Sequence, residues 1–511
     1  MSTDRGKRPV TLFAALLPLV AMLVLFVAGA VFLELSSELL VVVLIGAAAV
    51  AGGVAVHHGH TWDDIQRSTG EKLASVLPVI LILLTIGMLI ATWVLSGTIP
   101  FLVNWGVQLV SPRYLVLTAF LATAVMSLFT GTSWGSAGTI GVAMMGTAAA
   151  LDAPLAATAG AVVSGAYFGD KISPLSDSTN ICAIGAGAPL YAHIRHMMYT
   201  AVPSFGIALV VYGLSAGMIA TPALGLPESA RTLLADIDTV YSLSWVVLLP
   251  PAIVVWCILR RVPPALAITL SSLVAAVIGV LVQGFSIQHT LLAAVAGFRT
   301  EMVGPTGADP AALGEVFRTL VERGGLYGMA NTLVLIIAAF LLAGAMDVSG
   351  SLDFLIRRLL SAVRSVFGLI ASTMTAGATM IALTSHGGVT ALVIGGLFQK
   401  AYRERGLAPE NLSRSLEDSV TITEPLMPWT VSAVFMASTL GVPTVSYAPW
   451  AVFCFGGPAF SLLLAALYKR TGFGIRTLAA GQGSQDARDQ LLEVNVGSGR
   501  AGAVANDHEI P

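Results

Sequence analysis

The chain has 511 residues, and its composition excludes a water-soluble protein. Hydrophobic residues make up 56% and charged residues 11% of the chain, whereas soluble domains contain roughly 25% charged residues. So few charges cannot cover a surface that faces water, and the outer surface must therefore face lipid. The net charge of −2 gives no reason to expect nucleic-acid binding. The three cysteines lie far apart within apolar stretches, which argues against a disulfide framework.

The hydrophobic pattern predicts an all-α polytopic membrane protein with roughly 10–13 transmembrane segments, since a helix needs about 20 apolar residues to cross the bilayer. Several uncharged runs are too long for one crossing and contain glycine or proline, so we expect broken helices. Strands of a β-barrel would alternate apolar and polar residues, and these runs do not. The runs cover residues 10–33, 39–56, 73–110, 114–151, 197–227, 239–259, 262–298, 324–346, 365–399 and 425–468.

Basic residues predict how the chain is oriented, because they favour cytoplasmic loops. Arg5, Lys7 and Arg8 place the N-terminus in the cytoplasm, and the loop 57–72 returns there after two crossings. Arg260 and Arg261 mark a further cytoplasmic end. We divide the chain into a tail with two leading helices (1–72), a first repeat (73–227), connecting helices and loops (228–323), a second repeat (324–471) and a disordered cytoplasmic tail (472–511).

An internal repeat is the most informative feature of the sequence. Two similar halves, each interrupted by glycine, serine, threonine and proline, are typical of secondary transporters. Such folds place the binding site where the broken helices of the two halves meet, and the repeats are commonly inverted. The matches are residues 95–102 with 348–355 at an offset of 253, 132–135 with 384–387 at 252, and 174–175 with 425–426 at 251.

The first candidate ion site lies where an apolar helix runs into Asp170 and Pro174. An ionisable group at membrane depth is costly and therefore marks a functional site by default. Proline should unwind the chain here, which frees oxygen atoms of the kind that hard cations bind. The alternative is a cytoplasmic loop with an Asp170–Lys171 ion pair. The candidate ligands are Asp170, Ser173, Ser176, Asp177, Thr179 and Asn180.

The second half repeats this combination of carboxylates, hydroxyls and prolines at an apolar boundary. Its candidate ligands are Asp418, Thr421, Thr423 and Glu424. The alternative for both acids is a position at the membrane interface.

A second matched pair of turns interrupts a long apolar run in each half. Glycine lets the backbone approach a ligand, and hydroxyl groups can complete an ion shell. Small residues also serve plain helix packing in membranes, which is the alternative. His386, which has no counterpart in the first half, either titrates near neutral pH or hydrogen-bonds a neighbour. The supporting residues are Thr132, Ser133, Ser136, Thr139, Thr384, Ser385 and His386.

Four segments resemble the hallmark motifs of NhaC-type Na+/H+ antiporters: residues 131–141, 165–177, 323–326 and 413–429. The resemblance spans about residues 75–470. It implies a bacterial inner-membrane ion transporter with inverted repeats, in which Asp170, Ser173, Asp177, Asp418 and Thr421 belong to the ion pathway and Na+ binds at Asp170, Asp177 and Asp418.

The chain departs from the pattern of that family at three positions. Val420 stands where the family usually has glycine, Glu424 where it has a small residue, and Thr430 where it has asparagine. The additional acid leaves the transported ion and the stoichiometry open.

These features predict a secondary transporter that exchanges Na+ or Li+ for H+ by alternating access, with cation and proton competing for buried carboxylates. The expected partners are a monovalent cation, a proton and the bilayer, with a homodimer expected by analogy, and no cofactor is implied. No Walker lysine motif or G-x-S-x-G elbow supports an ATP-driven pump or a hydrolase.

The alternative is a Na+-coupled or H+-coupled carrier of a small organic acid or amino acid, because the same family includes malate/lactate exchangers. Arg195 and Arg323 could pair with an organic anion, although both have an interfacial position. A buried arginine within a span would favour this alternative, and the sequence suggests none. A channel is a third class, but its pore would not require carboxylates in two broken segments.

Overall fold

The computed structural model describes residues 10–32, 37–216, 226–361 and 365–478. The basic N-terminal residues that predict its orientation and most of the predicted tail lie outside these ranges. Within these ranges the chain is helical, apart from an isolated antiparallel β-bridge between Leu407 and Thr477.

The α-helices of the described residues are numbered in chain order. They are α1 (Leu12–Phe32), α2 (Ser37–His57), α3 (Trp62–Ser75), α4 (Leu77–Leu95), α5 (Thr98–Leu109), α6 (Leu115–Thr130), α7 (Ser133–Ser136), α8 (Val142–Ala150), α9 (Leu155–Ile172), α10 (Asp177–Ala186), α11 (Leu190–Ser215), α12 (Glu228–Val240), α13 (Leu249–Leu259), α14 (Pro264–Leu281), α15 (Ile287–Ala296), α16 (Glu315–Val321), α17 (Ala330–Val348), α18 (Ser351–Ser361), α19 (Val366–Thr384), α20 (Gly387–Glu404), α21 (Pro409–Leu416), α22 (Val431–Leu440), α23 (Thr444–Tyr447) and α24 (Val452–Thr471).

Wider and tighter helical turns connect some of these helices. Two are π-helical, Ala137–Gly141 between α7 and α8 and Glu417–Thr421 after α21. The 3-10 turns are Pro112–Tyr114, Trp245–Leu248, Thr300–Thr306, Pro310–Ala312, Tyr327–Met329, Glu424–Leu426 and Ala448–Trp450.

The prediction of an all-helical, multi-pass membrane protein is confirmed. Nine helices of the described chain are long and apolar enough to cross a membrane, or up to 11 if each of two bent helix pairs counts as one span. The pairs bend by 101° between α12 and α13 and by 87° between α22 and α23. Large apolar side chains such as Phe13, Leu214 and Leu281 point outwards and are 71–78% exposed, as a lipid-facing surface requires.

The chain breaks at the predicted positions. Helix α6 ends at Thr130, followed by Gly131 in the left-handed region with φ of 67°. Helix α9 ends at Ile172, and Ser173 is extended because Pro174 follows it. In the second half, α19 ends at Thr384, followed by Ser385 in the left-handed region with φ of 55°. The residues after α21 form the π-turn and a 3-10 turn before α22 begins.

The same local structures recur at a constant offset of 254 residues. Thr130 and Thr384 both end a helix, and each hydroxyl pairs with the hydroxyl six residues later, at 3.2 Å to Ser136 and 2.6 Å to Thr390. The residues two positions after each threonine, Thr132 and His386, both cap the next helix through their side chains.

Helices α10 and α22 extend this correspondence. Both contain ten residues, both are capped by a hydroxyl, from Ser176 and Thr430, and both end at a left-handed glycine, Gly187 and Gly441. The matches predicted at offsets of 252 and 251 are therefore shifted by two and three residues. Those matches paired positions with similar residue types, whereas the hydrogen bonds pair turns that have the same structure. The inverted arrangement of the two halves stays a prediction.

The loop predicted for residues 57–72 contains a helix instead, because α3 begins at Trp62. Thr61 caps this helix: its backbone N–H and hydroxyl donate to the Asp64 carboxylate at 2.9 and 2.8 Å. Both bonds lower the pKa of Asp64. The Thr-x-x-Asp spacing is a capping-box signature that could have revealed this helix from the sequence.

The first residues of the predicted tail pack against α21. The backbone carbonyl of Arg476 accepts from the Ala408 N–H at 3.0 Å and from the Asn411 side chain at 2.6 Å. Arg414 donates to the Gly474 carbonyl at 2.6 Å. We call residues 472–478 the C-terminal strap. The remainder of the predicted tail lies outside the described residues.

Helices α6 and α9 approach each other closely because α9 has glycines at Gly165 and Gly169. A Cβ atom at Gly165 would lie 2.3 Å from the Phe120 carbonyl oxygen, and one at Gly169 would lie 2.4 Å from the Leu128 nitrogen. Glycines spaced by four residues are a common means of close helix contact in membranes. This contact fixes the helix that carries Asp170 against α6.

Candidate functional site

The breaks in both halves surround one cavity of about 800 Å³. Its lining includes the turn after α6, the end of α9, the start of α10, the start of α20 and the start of α22. On one side Trp134 stacks on Phe435, with 4.4 Å between ring centroids and 10° between planes. Backbone irregularity at membrane depth is tolerated where it lines a cavity, and the arrangement meets that condition.

Asp170, near the C-terminal end of α9, is the first acid on this cavity. It is 8% exposed, and hydroxyl groups surround it. The Ser178 hydroxyl donates to it at 3.4 Å, and the hydroxyls of Ser133 and Ser176 lie close enough to interact with it. The Thr179 hydroxyl donates to the Asp170 carbonyl at 3.2 Å and so completes the end of α9. The carboxylate therefore lies within a set of oxygen atoms contributed by three segments.

Glu417, in the π-turn, is a second buried carboxylate beside the first. The Ser178 hydroxyl lies 3.4 Å from its Oε1 as well, and the Thr421 hydroxyl donates to the same atom at 2.7 Å. Its Oε2 has no hydrogen-bond partner among the described residues. Neither Glu417 nor Asp170 forms an ion pair with a basic side chain of the described chain. Two buried carboxylates thus share one hydroxyl.

Asp418, the next residue, is paired with Lys171. The lysine ammonium contacts Asp418 Oδ1, and both side chains are 0% exposed. The Thr200 hydroxyl lies 3.3 Å from the same oxygen and 3.4 Å from the lysine nitrogen. Neither residue of the pair lines the cavity. The Asp170–Lys171 loop considered as an alternative is therefore wrong, because Lys171 is buried and pairs across the two halves.

Glu424 begins the 3-10 turn that precedes α22 and is 8% exposed on the same cavity. Its carboxylate lies beside the backbone N–H groups of Gly387 and Ser432 and the Ser432 hydroxyl and interacts with them electrostatically. Gly387 is the first residue of α20, and Ser432 is the second residue of α22. The acid therefore lies at the N-terminal ends of two helices, where the helix dipole favours a negative charge.

The predicted ion-site residues separate into two groups. Asp170, Asp177, Asn180, Thr421 and Glu424 line the cavity, and Asp177 is exposed to it. Five others lie behind this lining and hold the backbone or the ion pair: Ser173, Ser176, Thr179, Asp418 and Thr423.

The predicted supporting turns divide in the same way. Thr132, Ser133 and His386 line the cavity. The hydroxyls of Ser136 and Thr139 bond backbone carbonyls one turn earlier. Thr384 pairs with Thr390 at 2.6 Å, and Ser385 supplies the left-handed turn.

The sequence reasoning missed the roles of Glu417, Lys171 and Tyr167. Glu417 directly precedes a residue that was singled out, and Lys171 was considered only as a local partner of Asp170 in a cytoplasmic loop. Tyr167 lies one helical turn before Asp170 and lines the cavity. Arg414 is 0% exposed, but it lies in α21, which is not among the candidate membrane spans of the described chain. Arg414 does not line the cavity.

The family model described as "Na+/H+ antiporter family" matches residues 9–179 and 165–467. The chain is 42% identical over 480 residues to an uncharacterized Na+/H+ antiporter of Haemophilus influenzae, covering 93% of this chain and 99% of that protein. It is 36% identical to the Na+/H+ antiporter NhaC of Alkalihalophilus pseudofirmus, over 80% of this chain and 85% of that protein.

A third relative has a different cargo. The malate-2H+/Na+-lactate antiporter of Bacillus subtilis is 29% identical, over 90% of this chain and 95% of that protein. The family model covers nearly the whole described chain, and two relatives above 30% identity match most of it. The resemblance deduced from the motifs is thereby confirmed, and the chain is a multi-pass membrane transporter that belongs to the Na+/H+ antiporter family.

Proposed function

We propose that the protein exchanges Na+ or Li+ for H+ across the cytoplasmic membrane by alternating access, and that the ion site is centred on Asp170 and Glu417. The observation that carries the proposal is the Ser178 hydroxyl, which lies 3.4 Å from both buried carboxylates. Two like charges so close together and away from water require a cation or a proton between them.

The chemistry of the surroundings favours a small hard cation. Asp170 and Glu417 together gather the hydroxyls of Ser133, Ser178 and Thr421. Oxygen-only sets of this kind bind hard cations. The unpartnered Oε2 atom of Glu417 offers one further ligand.

Competition between ions follows from this arrangement. A carboxyl group held away from water retains its proton more firmly, and a cation beside it favours the ionised form. Na+ binding therefore releases a proton, and proton binding releases Na+. Arg261 lies at the cavity and belongs to a loop that the positive-inside rule assigns to the cytoplasm, so we propose that the cavity opens to the cytoplasm in this conformation.

The alternative cargo is a small organic acid or amino acid carried with Na+ or H+. The cavity volume of about 800 Å³ lies within the range of about 300–1,000 Å³ typical of small-molecule sites, and one relative carries malate and lactate by name. Arg195 and Arg323 do not line the cavity, whereas the exposed Arg261 does and could meet an organic anion.

The test is the dissipation of a preset pH gradient in everted membrane vesicles on adding Na+, Li+ or K+ without organic substrate. Wild-type protein should dissipate the gradient with Na+ or Li+, and Asp170→Asn should abolish the response. Asp152→Asn is the matched control, because Asp152 is exposed in the turn before α9 and its positive φ of 51° suits asparagine. Full exchange in Asp170→Asn would refute the assignment. A response that requires malate, lactate or an amino acid would establish the alternative.

A further inference from the structure

The cavity carries a second acid at the position equivalent to Asp170. The offset of 254 residues that relates the turns and helices of the two halves also relates Asp170 to Glu424. Asp170 precedes the N-terminus of α10, and Glu424 precedes the N-terminus of α22. Both residues are 8% exposed and line the same cavity. The correspondence arises from hydrogen-bonded turns and does not depend on sequence similarity around the two acids.

The neighbours of the two acids correspond as well. Asp170 interacts with the side chains of Ser133 and Ser178, and Glu424 interacts with Gly387 and Ser432. Residues 133 and 387 are related by the same offset of 254, as are residues 178 and 432. Each acid therefore lies between the first turns of two helices in its own half. For Asp170 these helices are α7 and α10, and for Glu424 they are α20 and α22.

The two sites differ in the atoms that they offer. Around Asp170 the contacts are hydroxyl oxygens and a second carboxylate. Around Glu424, Gly387 replaces the hydroxyl of Ser133, and backbone N–H groups supply two of the contacts. An N–H group cannot coordinate a metal cation, but it stabilises the carboxylate that remains after a proton leaves. The second site thus suits a proton and lacks the oxygen shell that Na+ needs.

The balance of buried charges supports two exchangeable positive charges. Lys171 and Arg414 are the buried bases around the site. Five acids are buried in the described chain. Glu410 pairs with Arg476, and the other four are Asp170, Glu417, Asp418 and Glu424. Two bases therefore face four acids, and an uncompensated buried charge is costly. Two protons would neutralise the excess, and a single Na+ would leave one carboxylate that helix dipoles must stabilise.

Two titratable side chains face Glu424 from other elements. Tyr167 on α9 is close enough to interact electrostatically with both Glu424 and Asp170. His386, which precedes Gly387, lines the cavity beside it. No acid or base pairs with Glu424 among the described residues, and its carboxyl group is therefore free to exchange a proton with the cavity.

We infer that Glu424 is a second proton-binding carboxyl group, so that the protein moves two protons in one direction for each Na+ in the other. This inference rests on the proposed Na+/H+ exchange. In the proton-loaded state Asp170 and Glu424 are both neutral. In the Na+-loaded state Na+ lies at Asp170, and ionised Glu424 is stabilised by the N-terminal ends of α20 and α22. Each cycle transfers one net positive charge.

The experiment measures the exchange ratio in proteoliposomes. The pH is equal on both sides, a Na+ gradient is fixed, and the membrane potential is set with K+ and valinomycin. The potential at which net Na+ flux is zero gives the number of protons per Na+ independently of the transport rate. Wild-type protein should show the potential of zero flux expected for a ratio of two. Glu424→Gln should show none, because one-to-one exchange at equal pH is driven by the Na+ gradient alone. Glu404→Gln, on the exposed far end of α20, is the matched control and should keep a ratio of two.

Each outcome decides a separate question. Wild-type protein without Na+-dependent proton flux would refute the proposed function itself. Wild-type exchange with a ratio of one, or a ratio of two in Glu424→Gln, would refute the inference and leave the proposed function intact. If Glu424→Gln does not transport, Glu424→Asp decides. A ratio of two in that variant supports the carboxyl group as the carrier, and an inactive or one-to-one variant refutes it.

Discussion

Replacing Lys171 by methionine tests the buried ion pair directly. The substitution keeps an unbranched side chain, one atom shorter, and removes its charge. It leaves Asp418 at 0% exposure with Thr200 as its remaining hydrogen-bond partner at 3.3 Å. Removing one member of a buried pair typically costs about 3–5 kcal/mol, because the other charge remains uncompensated. We expect Lys171→Met to lose stability by about that amount.

The measurement is thermal unfolding of the purified protein in detergent, over a range of pH and Na+ concentrations. Lowering the pH or adding Na+ should recover part of the loss in Lys171→Met, because the unpaired carboxylate then binds a proton or a cation. The double variant Lys171→Met/Asp418→Leu should recover most of it, since replacing a buried pair by apolar residues is often neutral or stabilising. Lys400→Met is the control, because Lys400 is 87% exposed and contributes little.

Two results would contradict this reasoning. One is a Lys171→Met protein whose stability lies within about 1 kcal/mol of the wild type, since a solvated pair is worth about that much. The other is a double variant as unstable as the single one, because the loss would then come from packing and not from an unpaired charge.

The packing of α6 on α9 and the C-terminal strap give two further predictions. Gly169→Ala would bring a methyl group to 2.4 Å from the Leu128 nitrogen, so it should cost about 1–3 kcal/mol or prevent folding, whereas Gly53→Ala, with open space around it, should fold normally in fluorescence-detected size-exclusion chromatography. Ending the chain after residue 478 should leave thermal stability unchanged, whereas ending it after residue 471 removes the Gly474 carbonyl from Arg414 and should lower stability by about 1–3 kcal/mol per group left unsatisfied. Equal melting of both truncations would contradict a structural role for the strap.

Much of the architecture could be predicted because lipid imposes simple demands. Long uncharged runs require membrane helices, and the proline at position 174 unwinds the end of α9 for reasons local to the chain. The breaks after α6, α9, α19 and α21 could also be predicted, because glycine, serine and proline interrupt the apolar runs there. Helix α3 was missed because its apolar residues form one narrow face and its capping box was not considered.

The pairing of charges could not be predicted, because it depends on contacts across the two halves. Lys171 and Asp418 are 247 positions apart, and a lysine directly after an aspartate suggests a local pair. The offset between the two halves was misjudged for a related reason. Thr130 and Thr384 are equivalent in their hydrogen bonds, but the residue types around them are not similar enough to reveal it.

The bond between Lys171 and Asp418 also restricts how the protein can move. It joins α9, from the first half, to the π-turn after α21, from the second. Separating these segments would leave both buried charges without a partner, at a cost of several kcal/mol for each ion. They must therefore travel together as one rigid block, with α6 held to α9 by its glycine contacts. Any change in the side to which the cavity opens would then have to occur at the boundary of that block and not within it.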